Sequence, residues 1–200
     1  MTTYHHGDLP NELRRAAAEV ITEKGIGNFS LREVARRAGV SHAAPAHHFG
    51  DTTGLLTSLA TEAFTHLAAN SAAAAAEHED PIDRLTAMGQ AYVALGIQHP
   101  AHCQVMFRAD LVDSTDPDYA NSAAEAYAFL EQTVEDVATA INPDLDIDHA
   151  GKLCWAAMQG LVMLHENMAN LDGDNGRATA EVQDLVVSFT NLMVEGFRSR

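Results

Sequence analysis

Two helix signals lying almost end to end, between Phe29 and His48, constrain this chain more than any other feature. Ser30 has the character of an N-cap, Glu33 stands three residues on to complete a capping box, and Phe29 precedes the cap where it can staple onto Val34. The following run puts Leu31, Val34, Ala35 and Ala38 on one face and leaves Arg32, Arg36 and Arg37 off it, and Gly39 falls where a left-handed C-cap is wanted. Val40 then supplies an apolar anchor, and Ser41 reads as the N-cap of a further short helix through His48. Pro45 falls near the end of that helix's first turn, where it removes roughly one hydrogen bond without splitting a long element. Two short helices joined by one tight turn have helix-turn-helix spacing.

The rest of the chain is patterned for helices, with no sustained two-residue alternation. A first helix follows Asp8, carries Pro10 in its opening turn, aligns Leu13, Ala16, Ala17, Val20 and Ile21, and stops at Lys24-Gly25. A long helix from Asp51 aligns Leu55, Leu56, Leu59, Ala60, Ala63, Phe64 and Leu67, then runs through the alanines at 72–76 and ends before Asp80-Pro81. Beyond it the breakers leave helices at 81–98, 101–109, 118–141, 149–170 and 177–198. The expected fold is all-α, with about nine helices. A three-helix helix-turn-helix domain over 8–68 is joined by the long helix to a helical bundle over 69–200.

Charge sharpens the division. The formal net charge is -16, which at first argues against a nucleic-acid partner. Residues 1–50, however, hold six basic side chains against five acidic ones, with five histidines besides, and the remainder holds six against 23. One end can approach a polyanion and the other is repelled by it. Cys103 and Cys154 belong to no Cys-x-x-Cys pair, and neither a signal core nor a stretch of about 18 apolar residues is evident, so a soluble cytoplasmic protein is expected. The chain has no Gly-x-Ser-x-Gly, no glycine-rich phosphate loop and no His-Glu-x-x-His, so neither catalysis nor a cofactor is expected. His99, His102 and Cys103 have metal-ligand spacing, but His99 precedes Pro100 and no carboxylate completes the set, so a structural or pocket role is expected and no metal. His5-His6 reads as part of a flexible arm.

The run from Phe29 to Ser41, followed by His48-Phe49 and Leu55-Leu56, resembles the tetracycline-repressor (TetR) family of transcription regulators over roughly Asp8 to Leu67. Ser41 to Pro45, His99-Pro100-Ala101 and Met106-Phe107 resemble the branch with a Trp-x-x-x-His-Gly signature, which stands here as Trp155-Ala156-Ala157-Met158-Gln159-Gly160. Gln159 thus replaces the histidine, Ala46 stands where family members commonly have an aromatic residue, and Thr52 where they have Lys. The resemblance implies a regulator, most simply a repressor, that binds a near-palindromic operator and is released by a small molecule. Its third helix would enter the major groove, with His42, Ala43, Ala44 and His47 facing base edges, Arg32, Ser41 and His48 near phosphates, and Ser30 also in the DNA-binding set. A sensor cavity within the C-terminal bundle would be lined from Met88, Tyr92, His102, Met106, Phe107, Tyr127, Trp155, Met158 and Gln159, suited to a small hydrophobic or aromatic ligand. The last two helices are apolar on more than one face, which asks for a partner across a two-fold axis and implies a homodimer. A rival reading stays open: a helical small-molecule binding protein that has lost DNA affinity through Ala46 and Thr52.

Overall fold

The computed structural model describes residues 8–198, so His5 and His6 lie outside the described residues. It is built from nine helices among those residues: α1 (Leu9–Lys24), α2 (Leu31–Ala38), α3 (Ala44–Phe49), α4 (Thr52–Ala76), α5 (Pro81–Gln98), α6 (Pro100–Met106), α7 (Pro117–Ile141), α8 (Ile147–Asp172) and α9 (Asn175–Arg198). No helix among them is long and apolar enough to cross a membrane. Prolines set several of the starts. Pro10 and Pro45 occupy the first turns of α1 and α3, and Pro81, Pro100 and Pro117 are the first residues of α5, α6 and α7. In that first turn the missing N–H has no intrahelical partner to lose, and the ring already holds a helical φ.

The chain forms two compact units, one of residues up to Phe64 together with His99–Asn121, the other of Thr65–Gln98 and Ser122 onward. In the first, Leu13, Ala16, Ala17 and Val20 of α1 close on Val34 of α2 and Leu55 of α4, with Phe29, Leu31, Ala38, Val40 and Phe49 around them. Ile21, Leu56, Leu59 and Ala60 form a second cluster with Ala101 and Val105 of α6 and with Val112. A 3-10 turn at Ile26–Asn28 delivers Phe29 to this core. The apolar stripes expected on α1 and α4 are the buried ones.

The second unit packs α5, α7, α8 and α9 around Leu85, Val134, Val137, Ala150, Cys154, Met193, Val194 and Phe197. Close approach of α5 depends on glycine: a Cβ on Gly96 would lie 2.5 Å from Val162 Cγ2, and one on Gly89 2.9 Å from both Met158 Sδ and Val186 Cγ1. Val162 of α8 is buried against that seam.

The start of α3 differs from the expected one. It begins at Ala44, flanked by Ala43, whose side chain cannot cap; Ser41 offers its carbonyl, which accepts the Ala44 N–H at 3.0 Å. Beginning there places Pro45 second in the helix, so it sacrifices no intrahelical bond at all. The next helix starts tightly. Asp51 Oδ1 accepts the Gly54 N–H at 2.9 Å, and a Cβ at Gly54 would lie 2.0 Å from the Phe49 carbonyl oxygen. Gly54→Ala must displace the α3–α4 corner, and an overpacking cost of about 1–3 kcal/mol is expected in denaturant melts. An unchanged midpoint would show that the corner is not this tight.

Candidate DNA-reading surface and ligand cavity

The α2–α3 pair is fixed by local chemistry. Ser30 Oγ accepts the Glu33 N–H at 3.3 Å, half of the expected capping box. The other half does not form, because the Glu33 carboxylate is taken by Lys24 Nζ at 2.6 Å and by the Arg36 guanidinium at 2.7 and 2.8 Å. Gly39, at φ 68°, supplies the left-handed turn, and the Val40 N–H reaches back to the Ala35 carbonyl at 3.0 Å. Ser41, His42 and Ala43 in the turn before α3, and Ala46, His47 and His48 on it, face solvent, while Ala44 is half-buried and Pro45 buried. Of the expected base-facing residues, His42, Ala43 and His47 are therefore exposed and Ala44 is partly withdrawn.

Cations on this unit are mostly occupied. Arg14 meets Glu62 at 3.3 Å, Arg15 meets Glu12 and Glu19, and Arg37 is held by Glu23 and Glu19. Hydrogen bonds donated to the Glu23 carboxylate raise the Arg37 pKa further above its usual value. Arg32, exposed in the first turn of α2, is the one cation of residues 8–50 with no such ion pair among the described residues. A phosphate drawn to this surface meets a helix N-terminus and one uncommitted guanidinium.

Within the second unit lies a cavity of about 50 Å³. The N-terminal side of its wall is Leu67 and Ser71 of α4 with Leu85, Met88, Gly89 and Tyr92 of α5. Ala126 and Leu130 of α7, Cys154, Trp155 and Met158 of α8, and Phe189, Thr190 and Met193 of α9 complete it. Burial pushes the Cys154 thiol up to about 12, so it stays neutral, and its sulfur lies 3.3 Å from Met193 Sδ. Tyr92 donates its hydroxyl to Gln159 Oε1 at 2.7 Å, and its ring meets Trp155 edge-on at 6.5 Å. Tyr127 also lies against Trp155, tilted, at 5.3 Å.

Of the nine residues expected to form a ligand site, Met88, Tyr92, Trp155 and Met158 line this cavity, while Tyr127 and Gln159 back it through Trp155 and Tyr92. His102, Met106 and Phe107 are elsewhere, in the first unit. There His102 faces Glu62 at 3.5 Å, Met106 is fully buried with its carbonyl accepting the Tyr119 hydroxyl, and Phe107 packs edge-on against Phe64. They follow Pro100, after which the chain returns to the first unit. No three His, Cys, Asp or Glu residues among those described group for a metal ion. The cavity residues not expected from sequence come from five helices, and Gly89, a glycine within an apolar helix, was the available signal for close approach.

The described residues thus carry an exposed helix-turn-helix surface and an apolar cavity in a separate helical unit. Residues 13–59 match the family model for bacterial regulatory proteins of the tetR family, and residues 85–187 match the tetracyclin repressor-like C-terminal domain. No curated protein sequence matches the chain. Among solved structures, a protein of unknown function from Rhodococcus sp. RHA1 is 27% identical, with a TM-score of 0.79 over 99% of this chain and 100% of that one. A tetR-family regulatory protein from Rhodococcus RHA1 is 21% identical, with a TM-score of 0.73 over 96% and 97%. The transcriptional regulator FadR from Bacillus subtilis, in complex with stearoyl-CoA, is 18% identical, with a TM-score of 0.68 over 89% and 97%. The chain belongs to the TetR family of bacterial regulatory proteins.

Hydrogen bonds from Arg36 and then Lys24 lower the Glu33 pKa to about 2. A carboxylate held below its unfolded value of about 4.3 adds stability above that pH and loses it as pH falls toward 2. Glu33→Gln is therefore expected to flatten the acid limb of the stability profile between those values, as read by melts across pH. A limb unchanged by the substitution would assign the acid sensitivity to other groups.

Proposed function

We propose that this chain represses transcription as a cytoplasmic, non-catalytic homodimer, bound to a near-palindromic operator through two copies of α3 and released when a small apolar molecule enters the second unit. In this reading residues 8–68 serve DNA and 69–200 serve sensing and pairing. The observation that carries it is the pairing of an exposed, capped α2–α3 surface with an apolar cavity in one family member. His42, Ala43, Ala44 and His47 read bases, and Ser30, Arg32, Ser41 and His48 lie toward phosphates. Without an Arg, Asn or Gln on α3, thymine methyl contacts and DNA shape carry much of the discrimination.

Pairing is supported by apolar side chains left in water on the last two helices. Leu153, Met163 and Leu164 of α8 and Leu192 of α9 are all exposed, Leu192 to 75%, and Leu153 and Leu192 flank a surface groove of about 920 Å³. Glycine at 160 leaves open space beside this face, where a second helix pair can approach closely. A four-helix interface of this kind covers what one protomer cannot. Leu192→Glu is expected to convert the dimer to a monomer in sedimentation at micromolar concentration; a monomeric wild-type chain would overturn the arrangement.

Release follows from chain connectivity. Helix α5 contributes four residues to the cavity wall and passes through His99 into α6, which packs on α1 in the first unit. Displacement of α5 by a ligand is transmitted to α6 and changes the spacing of the paired recognition helices. Operators hold that spacing near one helical turn, about 34 Å, so a shift of a few ångströms breaks simultaneous docking.

Footprinting on the DNA upstream of the protein's own coding sequence, across a salt series, tests the reading. A protected near-palindrome with a shallow salt dependence is expected, because few cations are uncommitted. Arg32→Ala is expected to reduce the log–log slope by about two per dimer, roughly 0.9 per phosphate contact. The occupied cations also favour a second reading, a ligand-binding protein without operator affinity. Ligand binding with no protected site at low salt would establish that reading instead.

A further inference from the structure

The lining of the cavity specifies more than apolarity. No Asp, Glu, Lys, Arg or His is among its wall residues, and its one ionisable thiol is held neutral. A carboxylate or phosphate moved into such a wall loses its hydration and meets no counter-charge, which is strongly unfavourable. The polarity comes from the hydroxyls of Ser71, Thr190 and Tyr92 and from the Trp155 indole. Thr190 donates to the Val186 carbonyl at 3.0 Å and Tyr92 to Gln159, so each oxygen's remaining role toward a ligand is that of acceptor.

Shape adds a second constraint. The cavity, at about 50 Å³, is smaller than the roughly 150 Å³ that holds a benzene ring, so a ligand seated wholly within it must displace part of the wall. The parts able to move cheaply are the thioethers of Met88, Met158 and Met193, unbranched and tolerant of aromatic neighbours. Trp155, flanked by Tyr92 and Tyr127, gives the site a flat aromatic side.

Resting on the sensor reading given above, we infer that this cavity is selective for an uncharged planar aromatic molecule carrying a hydroxyl or N–H donor, that Tyr92 held by Gln159 accepts that donor, and that anionic ligands of the same size are rejected. Gln159 is a positioning residue here, fixing the direction of the Tyr92 hydroxyl.

A matched pair of probes, 2-naphthol and 2-naphthoate, differs chiefly in charge, and Trp155 is the sole tryptophan of the chain, so its emission reports on the cavity directly. With the full-length protein, 2-naphthol is expected to change Trp155 emission saturably and raise Tm, and 2-naphthoate to do neither at the same concentrations. Tyr92→Phe and Gln159→Leu are each expected to weaken 2-naphthol binding about fivefold, the loss of one hydrogen bond, with naphthalene binding unchanged in both. Equal or tighter binding of 2-naphthoate overturns the inference, as does failure of 2-naphthol to bind or indifference of its affinity to both substitutions. Operator release is scored separately. Saturable 2-naphthol binding that leaves the operator complex intact upholds the selectivity and counts against the sensor reading. Release by 2-naphthoate with a Trp155 response upholds the sensor and overturns the selectivity.

Discussion

The left-handed turn at Gly39 is the constraint on which the N-terminal unit depends. It lets α2 stop after eight residues and reverses the chain quickly enough for Val40 to join the same apolar cluster as Leu31 and Val34. An L side chain at φ 68° is strained, and without this turn α3 has no fixed relation to α2. Isolated helices of eight and six residues are unstable in water; they persist because Leu13, Ala17, Val20 and Leu55 bury their inner faces. The outward face is then free of any packing duty, which is the condition for reading DNA.

Electrostatics modify that picture in an unusual direction. The slight excess of positive charge in residues 1–50 suggests a phosphate-binding surface, yet most of those cations are already held by carboxylates of the same unit. These contacts order the arginines and tie α2 to α1 through Arg37 and Lys24. In the proposed reading they leave DNA affinity to rest on helix-terminal dipoles, hydroxyl and imidazole hydrogen bonds, and Arg32. The remaining, strongly acidic part of the chain disfavours nonspecific DNA association, so it adds discrimination and subtracts affinity.

Much of the fold was legible in the sequence because it is written in local rules. The caps at Ser30 and Gly39 and the stripes on α1 and α4 stand where periodicity and capping chemistry put them. Helix starts moved by one to three residues where proline decided the matter, as at Ala44, where the hydroxyl of Ser41 lost to the preference of Pro45 for a first turn. The cavity was less legible. Met88, Tyr92, Trp155 and Met158 were identifiable, but Leu67, Ser71, Ala126, Leu130, Phe189 and Thr190 meet there only through the packing of separate helices. His102, Met106 and Phe107 follow closely on α5 in sequence yet belong to the other unit, because the break at His99-Pro100 turns the chain away.

The central claim is that a ligand in the second unit alters the spacing of two DNA-reading helices, and a distance measurement tests it most directly. With a spin label placed at the exposed Thr22 position of α1 by Thr22→Cys, and the buried Cys103 and Cys154 left in place, pulsed dipolar spectroscopy reads the separation between protomers. The account expects one narrow distance on operator DNA and a shift of a few ångströms when 2-naphthol saturates Trp155. A distance that stays the same with and without the bound probe, or the absence of any dipolar coupling between protomers, would contradict it.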